Sequence, residues 1–427
     1  MKSGDKSIQA LLDHANGLEN KLQAATRGLR NEQTKPEAER DKSKVESLQS
    51  VVATAQGEYL SVVEQIKESN PNWEKFMTEN PTTLMGAQRS IPPGVLFVQY
   101  APVGNQLYIF LVSNSSLKVL LAPIKPEDLW KKIRTVRRQI ITGETEGVLV
   151  DNLSALYQML ITPIEAELVP VKVIAFIPNQ LLYYLPLQAL AKKGTNGEMR
   201  YLIEDKQIVY LTAADVMNVV QRPDEEKSHQ GMLAFGNPTG AELPSAEIEV
   251  ETIAKFFPET EVLLGVQATK EALSSGPRLN NRVVHFATHG VLNAATPGKS
   301  YILLASGETP GQERLTMAEV YFLPFKKVDL VTLSACETAL GDKDPNGGEI
   351  TGLAEAFSKA GANAVLASLW SVGDESTKEF MVQFYRQLAA GQSKAASLQS
   401  AEIALMKNPK FSHPLYWAPF VLMGDWR

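Results

Sequence analysis

The hydrophobic pattern divides the chain into two unlike parts. In the first, Leu11, Leu12, Leu18, Leu22 and Leu29 recur near helical spacing among Lys, Glu, Gln and Asn. A polar break, Asn31–Pro36, leads to a second series: Val45, Leu48, Val51, Val52, Tyr59, Leu60, Val63 and Ile66. Each series makes an apolar stripe on one helix face, so residues 1–75 are predicted to form an N-terminal helical hairpin. No fixed-period repeat runs through it. Asn70–Trp73 ends the second helix.

From Pro92 onward the apolar runs shorten. Val95–Tyr100, Gln106–Val112 and Leu117–Leu121 are separated by short turns and predict a three-stranded meander. Helices are expected at about 126–143 and 149–166, with strands at Val171–Ile177 and Gln207–Leu211. Residues 90–220 therefore read as one α/β region. A polar stretch, Arg222–Gln230, follows and contains His229, expected to be solvated.

Residues 230–427 alternate strand and helix. The predicted strands are Met232–Phe235, Glu261–Leu264, Arg282–Ala287, Tyr301–Ala305, Leu330–Leu333, Ala364–Leu369 and Trp417–Met423. Helices fall at Ala246–Phe257, Thr269–Ser275, Met317–Val320, Ile350–Lys359 and about 374–390. Short apolar strands alternating with helices imply an α/β fold with a mostly parallel sheet covered on both faces. Gly361 is placed to end a helix in the left-handed conformation.

Two of these strands carry candidate chemistry. Leu330–Leu333 runs into Ser334, Ala335 and Cys336, the single cysteine of the 427 residues. Arg282–Ala287 runs into Thr288, His289 and Gly290. Parallel neighbours end at the same sheet edge, where open α/β sheets place reacting groups. An imidazole there can take the thiol proton and return it to a leaving amine. Gly290 lets the chain approach a substrate carbonyl, and its N–H with that of Cys336 suits an oxyanion hole. The plainer alternative for Cys336 is a small core residue. His285, in mid-strand, is expected to be a hydrogen-bonded core histidine. Asp374 can line a pocket for a basic side chain or cap its own helix; Trp370 can wall that pocket or fill the core. Asp342, Asp344 and Glu349 fall in a glycine-rich loop that does not continue a calcium-binding pattern.

The segments HFATHG, LSACETALG, GLAEAFSKAGANAVLASLW and HPLYWAPFVLMGDWR resemble the CHAT family of caspase-like cysteine peptidases (clan CD). The resemblance covers most of the chain. It implies a caspase-like three-layer sandwich, with residues 90–220 as the non-catalytic half and 230–427 as the catalytic half. It also implies a His289–Cys336 dyad and limited proteolysis of a specific protein target in bacterial signalling or defence. Members often carry helical-repeat arrays upstream. A catalytically silent adaptor, binding a regulatory partner through the N-terminal helices, is the competing reading; a different thiol enzyme, an acyltransferase or amidase, is a third.

Composition narrows the field. A net charge of −6 argues against a broad nucleic-acid footprint, and the cluster Lys131, Lys132, Arg134, Arg137 and Arg138 reads as a solvated helix face. One cysteine excludes an internal disulfide and a cysteine-rich zinc site. HFATH lacks the glutamate of the zinc helix, so neither metal nor other cofactor is expected. No apolar run approaches the roughly twenty residues that span a bilayer. With no secretory leader recognised at the start, a cytoplasmic protein is expected.

Overall fold

The computed structural model describes residues 41–69, 84–144, 146–194, 198–212, 231–238, 243–274, 279, 281–291, 300–307, 313–334, 354 and 356–427, with scattered positions between 10 and 32. Residues 1–80 together with 316–322 form one compact unit; residues 81–315 with 323–427 form another.

In the first unit, helix α1 runs Lys42–Ser69, and the described positions between 10 and 32 are helical. Leu18, Ala25, Ala55 and Val62 are buried, as the apolar stripes require. Glu32 ties the polar break to the start of α1. It is 2% exposed, accepts from Asp41 N at 3.1 Å and pairs with Lys44 at 3.3 Å.

The second unit is built on an eleven-stranded sheet. The meander is β1 (Val95–Val103), β2 (Gln106–Val112) and β3 (Leu117–Leu121), all antiparallel. Helices α2 (Pro126–Ile141) and α3 (Glu146–Leu160) follow, then β4 (Val173–Ile177) and β5 (Gln207–Tyr210). Next come β6 (Met232–Gly236), α4 (Pro244–Ala254), β7 (Thr260–Leu264) and β8 (Val283–Ala287). β9 (Gly290–Val291) pairs with β10 (Tyr301–Leu303) outside the main sheet. The chain closes with β11 (Leu330–Leu333), β12 (Ala364–Ser368), α5 (Asp374–Ala389), α6 (Lys394–Met406) and β13 (Phe420–Gly424). The strand order is β3-β2-β1-β4-β5-β13-β12-β11-β8-β6-β7. One sheet thus runs through both α/β regions and joins them where β5 meets β13 in parallel, at Tyr210 and Met423.

On one side of β13 the strands β12-β11-β8-β6 are parallel neighbours, and every residue of those four strands is buried. That is the signature of strands covered on both faces. Phe235 and Phe286 stack at 5.0 Å between ring centres. Gly361 has φ +113°, and a Cβ there would lie 2.8 Å from Lys326 N, so the helix before β12 ends on a residue that only glycine supplies.

Two of the larger elements near the end of the chain differ from the sequence pattern. The last strand begins at Phe420, because Pro414–Trp417 is a helical turn whose cap, His413, accepts from Leu415 N. Helix α6 was not predicted at all. Its buried face includes Lys394, Ser397 and Glu402, so polar residues stand where periodicity looks for apolar ones. Among the described residues, no helix is long and apolar enough to cross a membrane.

Candidate active site

Strands β8 and β11 are parallel neighbours with Val283 level with Leu330 and Phe286 with Leu333. Their carboxyl ends, with that of β12, open onto a cavity of about 130 Å³ lined by Ala287, His289, Ser334 and Ser368 from the strand exits. Glu249 of α4 and Asp374 of α5 complete its polar wall. This volume suits one amino-acid side chain; whole small-molecule sites start at roughly 300 Å³.

His289 is half-buried at the exit of β8, with Nε2 itself buried. Its backbone is pinned on both sides. Leu303 N donates to His289 O at 2.8 Å, and Thr288 Oγ1 donates to Leu303 O at 2.6 Å. Antiparallel pairing alternates bonded and non-bonded residues. With His289 bonded to Leu303, and Gly290 opposite Ile302, the Gly290 amide turns away from β10. An amide in that orientation is a usable oxyanion donor.

Asp374 is the first residue of α5, whose cap is Gly373 with no side-chain hydrogen bond. The expectation that Asp374 caps its own helix is corrected: its Oδ2 accepts from Ser245 N, on the first turn of α4, at 2.9 Å. An amide in the first turn has no intrahelical acceptor, and α4 has no side-chain cap of its own. A carboxylate from another helix fills that role while also lining the cavity.

Trp370 is not brought to this wall. It is 2% exposed, its indole N–H donates to Leu415 O at 2.9 Å, and the Arg137 guanidinium lies 5.8 Å from its ring centre. Arg137 in turn donates to Leu369 O at 2.8 Å. A large ring with its one polar atom satisfied inside is a core residue. Cys336, the loop with Asp342, Asp344 and Glu349, and His229 lie outside the described residues.

His285 is fully buried and holds two partners, Glu249 Oε1 at 2.8 Å from Nε2 and Tyr385 Oη at 3.0 Å from Nδ1. Tyr385 donates to Thr332 Oγ1 at 2.6 Å, and Ser334 Oγ donates to Glu249 Oε1 at 2.7 Å. Burial pushes the Tyr385 phenol far above its ordinary range, so it stays a neutral donor. Sequence reasoning missed Glu249. Its only available signal was an acid between Ile248 and Val250, against the apolar grain of α4.

A chain of the Saccharomyces cerevisiae separase–securin complex at 3.0 Å resolution aligns with 99% of this chain and 37% of its own, at TM-score 0.55 and 10% identity. The same complex at 2.6 Å resolution aligns over 94% and 37%, at TM-score 0.50. At that identity the likeness is one of fold alone, a caspase-like α/β fold. Among curated proteins, Tetratricopeptide repeat protein 28 of Mus musculus is 29% identical over 326 residues, and that of Homo sapiens 30% over 327. Both matches take in 64% of this chain and 13% of the relative, so the chain spans a small part of the curated relatives it matches. The CHAT domain family matches residues 150–425, which include every strand and helix that lines the cavity. The chain belongs to the CHAT domain family.

Proposed function

We propose that this chain is a cysteine endopeptidase carrying out limited proteolysis of a specific protein target. The observation that carries the reading is a register. β8 and β11 pair with an offset of 333 − 286 = 47 residues, and the separation of Cys336 from His289 is 336 − 289 = 47. Parallel neighbours in register end at the same carboxyl edge, so the chain leaves both strands there. The cavity at that edge contains His289 and Asp374.

In this reaction the Cys336 sulfur bonds to the peptide carbonyl carbon while His289 takes the thiol proton. The Gly290 and Cys336 amides hold the oxyanion. The C–N bond then breaks, and His289 gives its proton to the departing amine. Water, deprotonated by the same imidazole, cleaves the thioester and restores the thiol. Asp374 offers a carboxylate to a Lys or Arg side chain preceding the cut, with a bidentate guanidinium the better fit. Separase, matched in fold, was crystallised with securin, which favours a protein partner here also.

The test is a proteome-wide comparison of new N-termini between wild type and Cys336→Ala in cells expressing each. New termini that vanish in the variant, with Lys or Arg before the cut, support the reading. Identical termini in both, with every cellular effect retained by Cys336→Ala, would establish the adaptor instead. Thioester or amide products without peptide cleavage would point to an acyltransferase or amidase.

A further inference from the structure

Glu249 sits where four elements meet. It is 1% exposed and projects from the middle of α4. One of its oxygens, Oε1, accepts from both Ser334 Oγ at 2.7 Å and His285 Nε2 at 2.8 Å. Ser334 is the first residue beyond β11, two before Cys336 in sequence. Behind His285, Tyr385 of α5 lies 3.0 Å from Nδ1 and donates to Thr332 of β11 at 2.6 Å. One turn earlier on α4, Ser245 N donates to Asp374 Oδ2 at 2.9 Å. The same helix therefore grips the strand that leads to the cysteine and the carboxylate that lines the cavity.

A buried carboxylate is an expensive way to hold a core together. Taking it out of water is costly, and apolar packing of equal volume often does as well or better. What such a group does provide is direction, since its hydrogen bonds fix partners in one geometry. Here the outermost partner, Ser334, and Glu249 itself both line the cavity.

We propose that Glu249 is a positioning residue for the peptidase reaction: by holding Ser334 and His285 on one oxygen, it fixes the exit of β11 relative to His289 and to the pocket carboxylate Asp374. This rests on the cysteine-peptidase reading, and its effect passes through Cys336. If the strand exit drifts, the sulfur loses its alignment with the imidazole, and a displacement near 1 Å can cost about a hundredfold in rate.

The experiment uses the single cysteine as its own reporter. Iodoacetamide alkylation of the intact protein at pH 7 is followed by mass for wild type, Glu249→Gln, Glu249→Ala, Ser334→Ala and His289→Ala. Glutamine keeps an acceptor oxygen for both hydrogen bonds, so its rate stays within about threefold of wild type. Glu249→Ala and Ser334→Ala each fall by about tenfold or more, as for a misplaced reacting group. Simple loosening acts in the opposite direction, because local opening exposes a thiol and speeds alkylation.

Wild-type or faster rates in Glu249→Ala and Ser334→Ala overturn the proposal. Should Glu249→Ala fail to fold, Ser334→Ala decides alone, since it retains the His285–Glu249 pair. A slow His289→Ala with unchanged Glu249→Ala and Ser334→Ala defeats only this inference. An unchanged His289→Ala defeats the dyad beneath it and the inference with it.

Discussion

The strands β8, β11 and β12 finish differently at their two ends. At the amino ends stand Arg282, Asp329 and Asn363, one residue before each strand. Asp329 takes Lys394 Nζ at 2.7 Å, Arg282 Nε at 3.3 Å and Asn363 Nδ2 at 3.3 Å. Lys394 is fully buried. At the carboxyl ends the polar groups are as numerous, but they surround a cavity. The first arrangement spends its hydrogen-bonding capacity inward and fixes the register of three strands. The second leaves polar groups turned toward open volume, as sites at the carboxyl edge of α/β sheets do. Burial of charge therefore does not by itself distinguish the two ends of these strands; the cavity beside one of them does.

The sharpest test of that contrast is at the closed end. Asp329→Ala takes from the buried Lys394 the carboxylate that hydrogen-bonds it and leaves it the field of Asp425, and a broken buried pair costs about 3–5 kcal/mol. Urea unfolding should show a loss of that size. A loss below about 1 kcal/mol, the range of exposed pairs, would mean the amino-end cluster is no more structural than a surface salt bridge.

Helix α6 carries a second contrast within itself. Lys394 at its start is paired, whereas Glu402, two turns on, is fully buried, and burial pushes its carboxyl well above the usual range, the Gln188 amide opposing only in part. At low pH the folded and unfolded chains both hold this proton. Above about 4.5, the ordinary value, the unfolded chain releases it and the folded chain keeps it. Stability contributed by the raised group is thus fully present below that value and is lost as pH rises, by up to about 1.4 kcal/mol per unit. Glu402→Gln removes the titration. Urea midpoints at pH 5 and pH 7 should converge in the variant relative to wild type, with the variant the more stable of the two at pH 7. Parallel changes in both proteins would show that Glu402 does not carry the dependence.

Between the two ends of the sheet lies Tyr385. Its hydroxyl holds Thr332 of β11 and faces His285 of β8. Tyr385→Phe leaves those buried groups short of a partner and should cost about 1–3 kcal/mol, less than Asp329→Ala. Its melting curve would place the middle of the strands on the structural side of the comparison. A variant as stable as wild type would instead make this layer dispensable to the fold.

How much of this was written in the pattern of residues depends on which force set each position. The strands that lead to the cavity were legible, because Val283–Ala287 and Leu330–Leu333 bury both faces and read as apolar runs interrupted only by His285 and Thr332. His289 and Asp374 were legible as candidates because each follows a strand exit. The buried, hydrogen-bonded state of His285 and the place of His289 at the cavity were legible too, from mid-strand against exit. Glu249 and Lys394 were not. Each is a charged residue on a buried helix face, and each is stabilised by a partner far along the chain, 36 and 65 residues away respectively. Periodicity sees only neighbours in sequence. Asp374 was half legible: its place at a helix start was clear, but the helix it caps is 129 residues away.

Asp374 is also where the two ends of the sheet can be set side by side in one pair of variants. Like Asp329, it is a carboxylate accepting from a distant element; unlike Asp329, it is half-buried and faces the cavity. Asp374→Ala removes the acceptor for Ser245 N, a loss of about 1 kcal/mol for a helix cap, well short of the Asp329→Ala value. Asp374→Asn retains an oxygen for that amide, so its stability should return to within a few tenths of a kcal/mol of wild type. The charge is gone in both. On peptides differing only in the residue before the cut, both variants should lose preference for Lys and Arg over neutral residues, chiefly through a higher KM. An Asp374→Asn variant that keeps a basic preference would reduce this carboxylate to a cap, no different in kind from the buried groups at the amino end.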